Sequence, residues 1–248
     1  MEPSACAAVL CGGRGERLKP LTDYYQKTMI PVGPKKRPIL AYIIGLLKHH
    51  GITRVALLTG YRADEVKRYF GGGREFGMEI TYSEDSKDAL GSLNAVSNAL
   101  ANGAIPRCEQ LLVYYGDILT DLDITHLLSV HRREKADATL VLGKGYVLPV
   151  GVAGVKGRRI TSFHEKPELP LSVTTGMMVL GPKAMALVKR MAGPRKTDLM
   201  RDFIPVLLRR GERVVPFYLD RDWFDVGTVS SFEKLNKVLA SHPLNELV

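Results

Sequence analysis

The sequence predicts an α/β protein: a Rossmann-like, mixed but mostly parallel sheet with helices on both faces and a β-rich lobe attached. Three observations carry that expectation. An apolar run, Ala5–Leu10, leads straight into a glycine-rich turn. Strand-like apolar segments then alternate with helical ones through Tyr82, the β-α-β-α-β order of a parallel sheet. After Ala138 the alternation gives way to short β-rich segments separated by glycines and prolines, which points to mixed or antiparallel pairing.

The elements follow in order. Ala5–Leu10 reads as a buried first strand and Met29–Gly33 as a short extended piece. Residues 39–50 carry apolar side chains at 39, 40, 43, 44, 46 and 47, and Gly51 stops the helix that this spacing predicts. Val55–Leu58 is a second strand, and Ala63–Phe70 a short helix halted by three glycines. A third strand, Met78–Tyr82, precedes a polar loop over Ser83–Leu90 and a helix over Gly91–Ala101. Leu111–Tyr115 is a strongly apolar strand that ends in Gly116-Asp117. Ile124–Arg132 follows as a helix, with Asp123 or Thr125 as its cap. Ala138–Leu142, Val150–Val155, Arg159–Phe163 and Val173–Leu180 are strands. Pro182–Met191 and Leu199–Arg209 are helices, Val214–Tyr218 a strand and Val229–Ala240 a closing helix. No repeat, low-complexity tract or linker interrupts the chain, so residues 1–248 are read as one domain.

Composition narrows the classes. The 248 residues are 45% hydrophobic and 25% charged, the balance of a soluble globular protein. A net charge of +9 suits anionic partners, either nucleic acid or phosphorylated small molecules. The longest basic run, Lys35-Lys36-Arg37, has three residues and no aromatics are interleaved with the charges, so nucleic acid is not the expected partner. Cys6, Cys11 and Cys108 are odd in number and form no CxxC pair. That argues for a reducing compartment and against zinc, with Cys6 read as a small buried hydrophobe. Met1–Ser4 lacks a basic n-region, and no apolar run approaches a membrane span. The expected location is the cytoplasm, with no membrane partner.

The chemistry starts at Leu10-Cys11-Gly12-Gly13-Arg14-Gly15-Glu16-Arg17. Glycines let backbone N–H groups face outward and approach an anion closely. Arg17, and Lys27 after a gap of nine residues, can hold phosphate oxygens, one as a fork and the other as a point charge. A dinucleotide fingerprint would need glycine where Leu18 stands, and a P-loop would need Gly-Lys-Ser/Thr. A plain strand-to-loop turn is the bland alternative. Asp117, where an apolar strand emerges, is placed to bind metal or substrate. Asp121-Leu122-Asp123 can be read as the metal motif of a glycosyltransferase or as a helix cap.

Leu10–Lys27 resembles the signature of the sugar-1-phosphate nucleotidyltransferases, G-x-G-T-R followed at a short distance by lysine. Gly13, Gly15, Arg17 and Lys27 match, whereas Glu16 stands where the family usually has threonine. Four later segments fit the same resemblance: Gly91-Ser92-Leu93-Asn94-Ala95 against G-T-A-G-A, with departures at Leu93 and Asn94; Gly116-Asp117; Glu165-Lys166-Pro167; and Trp223-Phe224-Asp225-Val226-Gly227-Thr228. The resemblance implies that Leu10, Gly12, Gly13, Gly15, Arg17, Lys27 and Gly91 hold the nucleotide. It implies Mg²⁺ on Asp117 and Asp225. Glu165 would contact the sugar, Lys166 its phosphate, and Gly176 would approach the sugar from the β-rich, sugar-side lobe. Arg17, Lys27, Asp117 and Lys166 would be catalytic.

The implied reaction makes a nucleoside-diphosphate sugar and pyrophosphate from a triphosphate and a sugar-1-phosphate. GTP and mannose-1-phosphate are the expected pair, because no left-handed helix repeat follows and Gly91–Ala95 resembles that subgroup. Glucose-1-phosphate with UTP or dTTP is the alternative. A non-catalytic relative that binds nucleotide sugar, and a glycosyltransferase built on Asp121 and Asp123, stay open. A homo-oligomer is compatible with the resemblance.

Overall fold

The computed structural model describes residues 5–85 and 90–248. Residues 86–89, in the expected polar loop, lie outside them. In chain order the first elements are β1 (Ala5–Cys11), α1 (Leu21–Tyr24), β2 (Pro31–Val32), β3 (Arg37–Pro38), α2 (Ile39–His49), β4 (Arg54–Thr59), α3 (Ala63–Phe70) and β5 (Glu79–Glu84). There follow α4 (Ser92–Ala101), β6 (Gln110–Tyr115), β7 (Ile118–Thr120), α5 (Ile124–Arg133), β8 (Ala138–Val147), β9 (Val152–Lys156), β10 (Arg159–His164) and β11 (Glu168–Leu180). The chain closes with α6 (Pro182–Met191), α7 (Ile204–Arg209), β12 (Val214–Tyr218), β13 (Trp223–Asp225) and α8 (Val229–Leu239).

Seven strands form one sheet in the order β12-β8-β11-β6-β1-β4-β5. β6, β1, β4 and β5 run parallel, as do β12 and β8, and β11 is antiparallel to both of its neighbours. β1 alternates between two cores. Ala7, Val9 and Cys11 pack with α2, α3 and α8 on one face. Cys6 and Ala8 pack with α4, α6 and α7 on the other. The sheet is therefore covered on both faces, which is why its strands read as continuous apolar runs.

Three local outcomes differ from expectation. The helix expected over 199–209 is split into a wide turn, Leu199–Phe203, and α7. Pro205 has no N–H, and its ring would meet the carbonyl four residues back. The backbone widens instead, and Phe203 N–H donates to Asp198 O at 3.3 Å. Cys6 is not an unpaired hydrophobe: it forms a disulfide with Cys108, with Cα atoms 6.1 Å apart. Two short strands, β7 and β13, were not expected, and they pair antiparallel outside the main sheet.

Candidate active site

β1 lies at the point where strand order reverses: β6 flanks it on one side and β4 on the other. Crevices at the C-terminal ends of such strands are the usual binding places in open α/β sheets. Here β1 runs into Gly12–Gly15 and β6 into Gly116-Asp117. Between them is a cavity of about 440 Å³ lined by Leu10, Gly12, Gly13, Gly15, Lys27, Gly91 and Asp117. Arg14 and Ser92, each inside a motif segment, line it too, as do Asp85, Tyr115 and Lys196, which nothing in the sequence singled out. A larger groove of about 750 Å³, beside Tyr24, Lys36 and Arg68, contains none of the expected residues.

The loop after β1 is held in shape from inside. Gly15 sits at φ +67°, and a Cβ there would come within 2.8 Å of Thr22. Gln26 is fully buried. Its Nε2 donates to Cys11 O at 2.5 Å, and its Oε1 accepts from Thr28 N and Oγ1 at 2.6 and 2.7 Å. This side chain ties the end of β1 to the turn that carries Lys27. Lys27 Nζ then forms an ion pair with Asp117 Oδ2.

The second carboxylate arrives on the short ribbon. Asp225 of β13 stands opposite Ile118 of β7, and Val226 N–H donates to Asp117 O at 2.9 Å. A Cβ at Gly227 would lie 2.9 Å from Asp225 Oδ1 and 3.1 Å from Arg17 Nη2. Arg17, Lys27, Asp117 and Asp225 are thus brought to one place. Burial, then the neighbouring Asp117 carboxylate, hold the Asp225 carboxyl above the usual range, while Lys27 and Arg17 pull it back. A like charge beside a carboxylate is an ordinary cause of such a rise.

The departures in the Gly91–Ala95 segment have structural causes. Leu93 is core. Asn94 is fully buried and donates to the carbonyls of Leu90, Gly193 and Arg195 at 2.9–3.1 Å. It clamps the loop that brings Lys196 to the cavity. Gly91, at φ +107°, lies so close to this loop that a Cβ would be 2.1 Å from Thr197 O, so no other residue fits there. Ser92 Oγ donates to Asp198 Oδ2 at 2.7 Å and accepts from Tyr115 Oη at 3.1 Å. Burial pushes the Tyr115 hydroxyl up to about 12, so it stays protonated as a donor.

Glu16 is turned outward, paired with Lys19 at 3.2 Å, and does not line the cavity. For the triphosphate that the resemblance implies, Glu16→Thr is accordingly expected to leave KM within about twofold, since an exposed, screened charge acts weakly. A clear fall in KM that persisted at high salt would contradict this placement.

Arg17 and Asp225 stand beside this cavity rather than in its lining, and the remaining expected residues do not line it either. Glu165 and Lys166 are exposed at the turn between β10 and β11, Lys166 with φ +46°. Gly176 lies behind the cavity wall, where a Cβ would be 3.2 Å from Tyr115 Cβ. Asp123 caps α5, its Oδ1 accepting from His126 N–H at 2.8 Å. Neither Asp121 nor Asp123 lines the cavity.

Comparison with known proteins agrees with this geometry. A UTP–glucose-1-phosphate uridylyltransferase of Synechocystis is 29% identical over 246 residues, covering 91% of this chain and 61% of that protein. A mannose-1-phosphate guanylyltransferase of Mycobacterium tuberculosis is 31% identical over 231 residues, covering 91% and 62%. The chain thus spans about three-fifths of the length of these relatives. Among solved structures, a protein of Bacillus anthracis provisionally named a glucose-1-phosphate thymidylyltransferase, in complex with sucrose, superposes with a TM-score of 0.76. It is 26% identical, with 96% of each chain covered. Residues 6–242, from the first strand past the last helix, match the family model described as nucleotidyl transferase, and the chain belongs to that family.

Proposed function

We propose that this chain is a sugar-1-phosphate nucleotidyltransferase that releases pyrophosphate as it makes a nucleoside-diphosphate sugar. The observation that carries the reading is the meeting of Lys27, Arg17, Asp117 and Asp225 beside a glycine-lined cavity. The curated relatives named above, a uridylyltransferase and a guanylyltransferase, support the reaction class.

In this reaction a phosphate oxygen of the sugar-1-phosphate attacks the α-phosphorus in line. The bond to the bridging oxygen of the pyrophosphate breaks, and no protein nucleophile is needed. The chemical obstacle is repulsion between two anions, met by positioning and charge neutralisation. Arg17 and Lys27 hold the triphosphate and stabilise charge on the leaving pyrophosphate. Lys166 positions the sugar phosphate and Glu165 the sugar, both standing exposed at the turn between β10 and β11. Among the described residues no cluster of three or more His, Cys, Asp or Glu is suited to a metal. Two carboxylates are enough for Mg²⁺, which keeps waters and takes further oxygens from phosphates. Asp117 and Asp225 would hold it, and when bound it would supply positive charge that neutralises the phosphates.

For the substrate pair we favour GTP and mannose-1-phosphate. Asp85 lines the cavity beside Gly12. Its carboxylate accepts hydrogen bonds only, and guanine offers two adjacent donors on its pairing edge. The departures that favoured a non-catalytic relative have other causes, since Leu93 packs, Asn94 clamps and Glu16 faces Lys19. Glucose-1-phosphate with UTP is the second reading, after the Synechocystis relative. Five nucleoside triphosphates tested against mannose- and glucose-1-phosphate, with pyrophosphate as the readout, decide between them. No pyrophosphate from any pair, with Mg²⁺ present, would overturn the enzyme reading.

The two lysines should divide the substrates. Lys27→Ala is expected to weaken triphosphate binding by about tenfold or more, and Lys166→Ala to raise the KM for sugar-1-phosphate with triphosphate affinity unchanged. Both should lower kcat, because charge builds on the bridging and leaving oxygens as the bond breaks. Equal loss of triphosphate affinity in the two variants, titrated one ligand at a time, would contradict the division.

A further inference from the structure

Lys196 lines the candidate cavity, yet it lies outside every segment that carries the resemblance, and the proposed reaction gives it no part. The loop that bears it is fastened to the start of α4 on both sides of the lysine. Ahead of it, the fully buried Asn94 donates through Nδ2 to Gly193 O and Arg195 O at 3.1 and 2.9 Å, and its Oδ1 accepts from Gly193 N–H at 3.2 Å. Behind it, Thr197 N–H donates to Leu90 O at 3.1 Å, and Thr197 O accepts from Leu93 N–H at 3.2 Å. The backbone flanking Lys196 is therefore fixed, while its side chain stands exposed at the cavity wall. A buried amide that makes so many bonds sets one geometry for the backbone it holds.

Charge gives this lysine a task. Arg17 and Lys27 meet Asp117 and Asp225 beside the cavity, and Lys27 is paired with Asp117. Two cations against two carboxylates leave no net positive charge for an anionic substrate. Within the lining, Asp85 adds a carboxylate, and the Arg14 guanidinium stands over the Tyr61 ring, 5.7 Å from its centroid. Among the described residues Lys196 is the remaining cation of that lining. An ammonium on a flexible stem is a compact point charge, suited to phosphate oxygens.

We infer that Lys196 is a further substrate-binding residue, whose ammonium holds the phosphates of the triphosphate in this cavity, and that Asn94 is its positioning residue. The inference rests on the nucleotidyltransferase reading. It also gives a reason for the side chain at Asn94, where the motif that the segment resembles has glycine: the amide fixes the loop that delivers the cation.

Titration calorimetry with GTP and with UTP, beside initial-rate pyrophosphate release, tests this. Lys196→Met should weaken binding of the triphosphate that the wild type takes by about tenfold, the size of one hydrogen bond to a charged group. It should also make that binding less sensitive to salt. Lys196→Arg should keep most of the affinity. Lys189→Met removes the same charge from an exposed position on α6 and should leave binding as it was. Asn94→Ala should weaken binding by about threefold or more, yet add nothing in the Lys196→Met background, since it acts through that lysine. A purely structural role would instead lower the melting temperature and leave the two effects on binding additive. Lys196→Met binding as tightly as wild type overturns the inference, as does an equal loss in Lys189→Met. These exposed variants decide the matter even where Asn94→Ala does not fold. A wild type that binds neither triphosphate overturns the nucleotidyltransferase reading as well, whereas a wild type that binds and turns over beside an unimpaired Lys196→Met overturns the inference alone.

Discussion

Asp117→Asn should lower kcat by about a hundredfold or more while leaving the fold intact. Asparagine has the same shape, keeps an oxygen for the Lys27 ammonium and leaves the backbone bond from Val226 to Asp117 O untouched. What disappears is one full negative charge where two carboxylates meet two cations. Losing one electrostatic stabiliser of a transition state costs about 3 kcal/mol. The KM values should move less than kcat, because the charge matters most when the pyrophosphate leaves. The check is initial-rate pyrophosphate release at saturating substrates and Mg²⁺, beside a thermal melt. Wild-type turnover from a folded variant would remove Asp117 from the reaction.

Gln26→Ala should damage both stability and turnover, although Gln26 touches no substrate in the proposed mechanism. The substitution strands Cys11 O and Thr28 N–H in a dry interior. Each buried group left unpaired costs roughly 1–3 kcal/mol. A total near 3 kcal/mol would lower the Tm of a chain this size by roughly 6–12 °C. Turnover should also fall, since Lys27 loses the anchor immediately before it. Gln26→Glu, which keeps an acceptor for Thr28 but not the donor for Cys11 O, should fall between. Differential scanning calorimetry and kcat on the two variants are the measurements. An alanine variant that melts with wild type would show that the loop does not depend on Gln26.

The sheet and its helices were legible because local pattern decides them. A strand covered on both faces, such as β1, must be apolar throughout, and the residues of α2 that carry the helical spacing, Ile39, Leu40, Ile43, Ile44, Leu46 and Leu47, are all buried, with Gly51 beyond its end. The phosphate loop was legible from glycine spacing. The rest depends on contacts far apart in sequence. β7 and β13 are three residues each, too short to show a period, and they exist because each pairs with the other. Gln26, Asp85, Tyr115 and Lys196 are ordinary residue types in ordinary stretches. Only the fold turns them toward the cavity or beneath its loop. Asn94 looked like a departure from a motif, whereas its amide clamps a loop about a hundred positions away. The disulfide is of the same kind, since neither the spacing nor the odd number of cysteines pointed to Cys6 and Cys108.

The β7–β13 pairing also has a consequence for how the protein comes into being. Asp117 leaves the ribosome about a hundred residues before the strand Trp223–Asp225 that sets Asp225 beside it. The parallel core of β1, β4, β5 and β6 can form from the first half, since such units fold as the chain leaves the ribosome. The two carboxylates meet only after Trp223–Asp225 has been made. A nascent chain stalled before Trp223, or a proteolytic product lacking that segment, would keep the glycine loop and Lys27 yet lack half of the paired carboxylates. Under the proposed reaction such fragments should bind nucleotide weakly and turn over none, so that incomplete copies would not consume triphosphate.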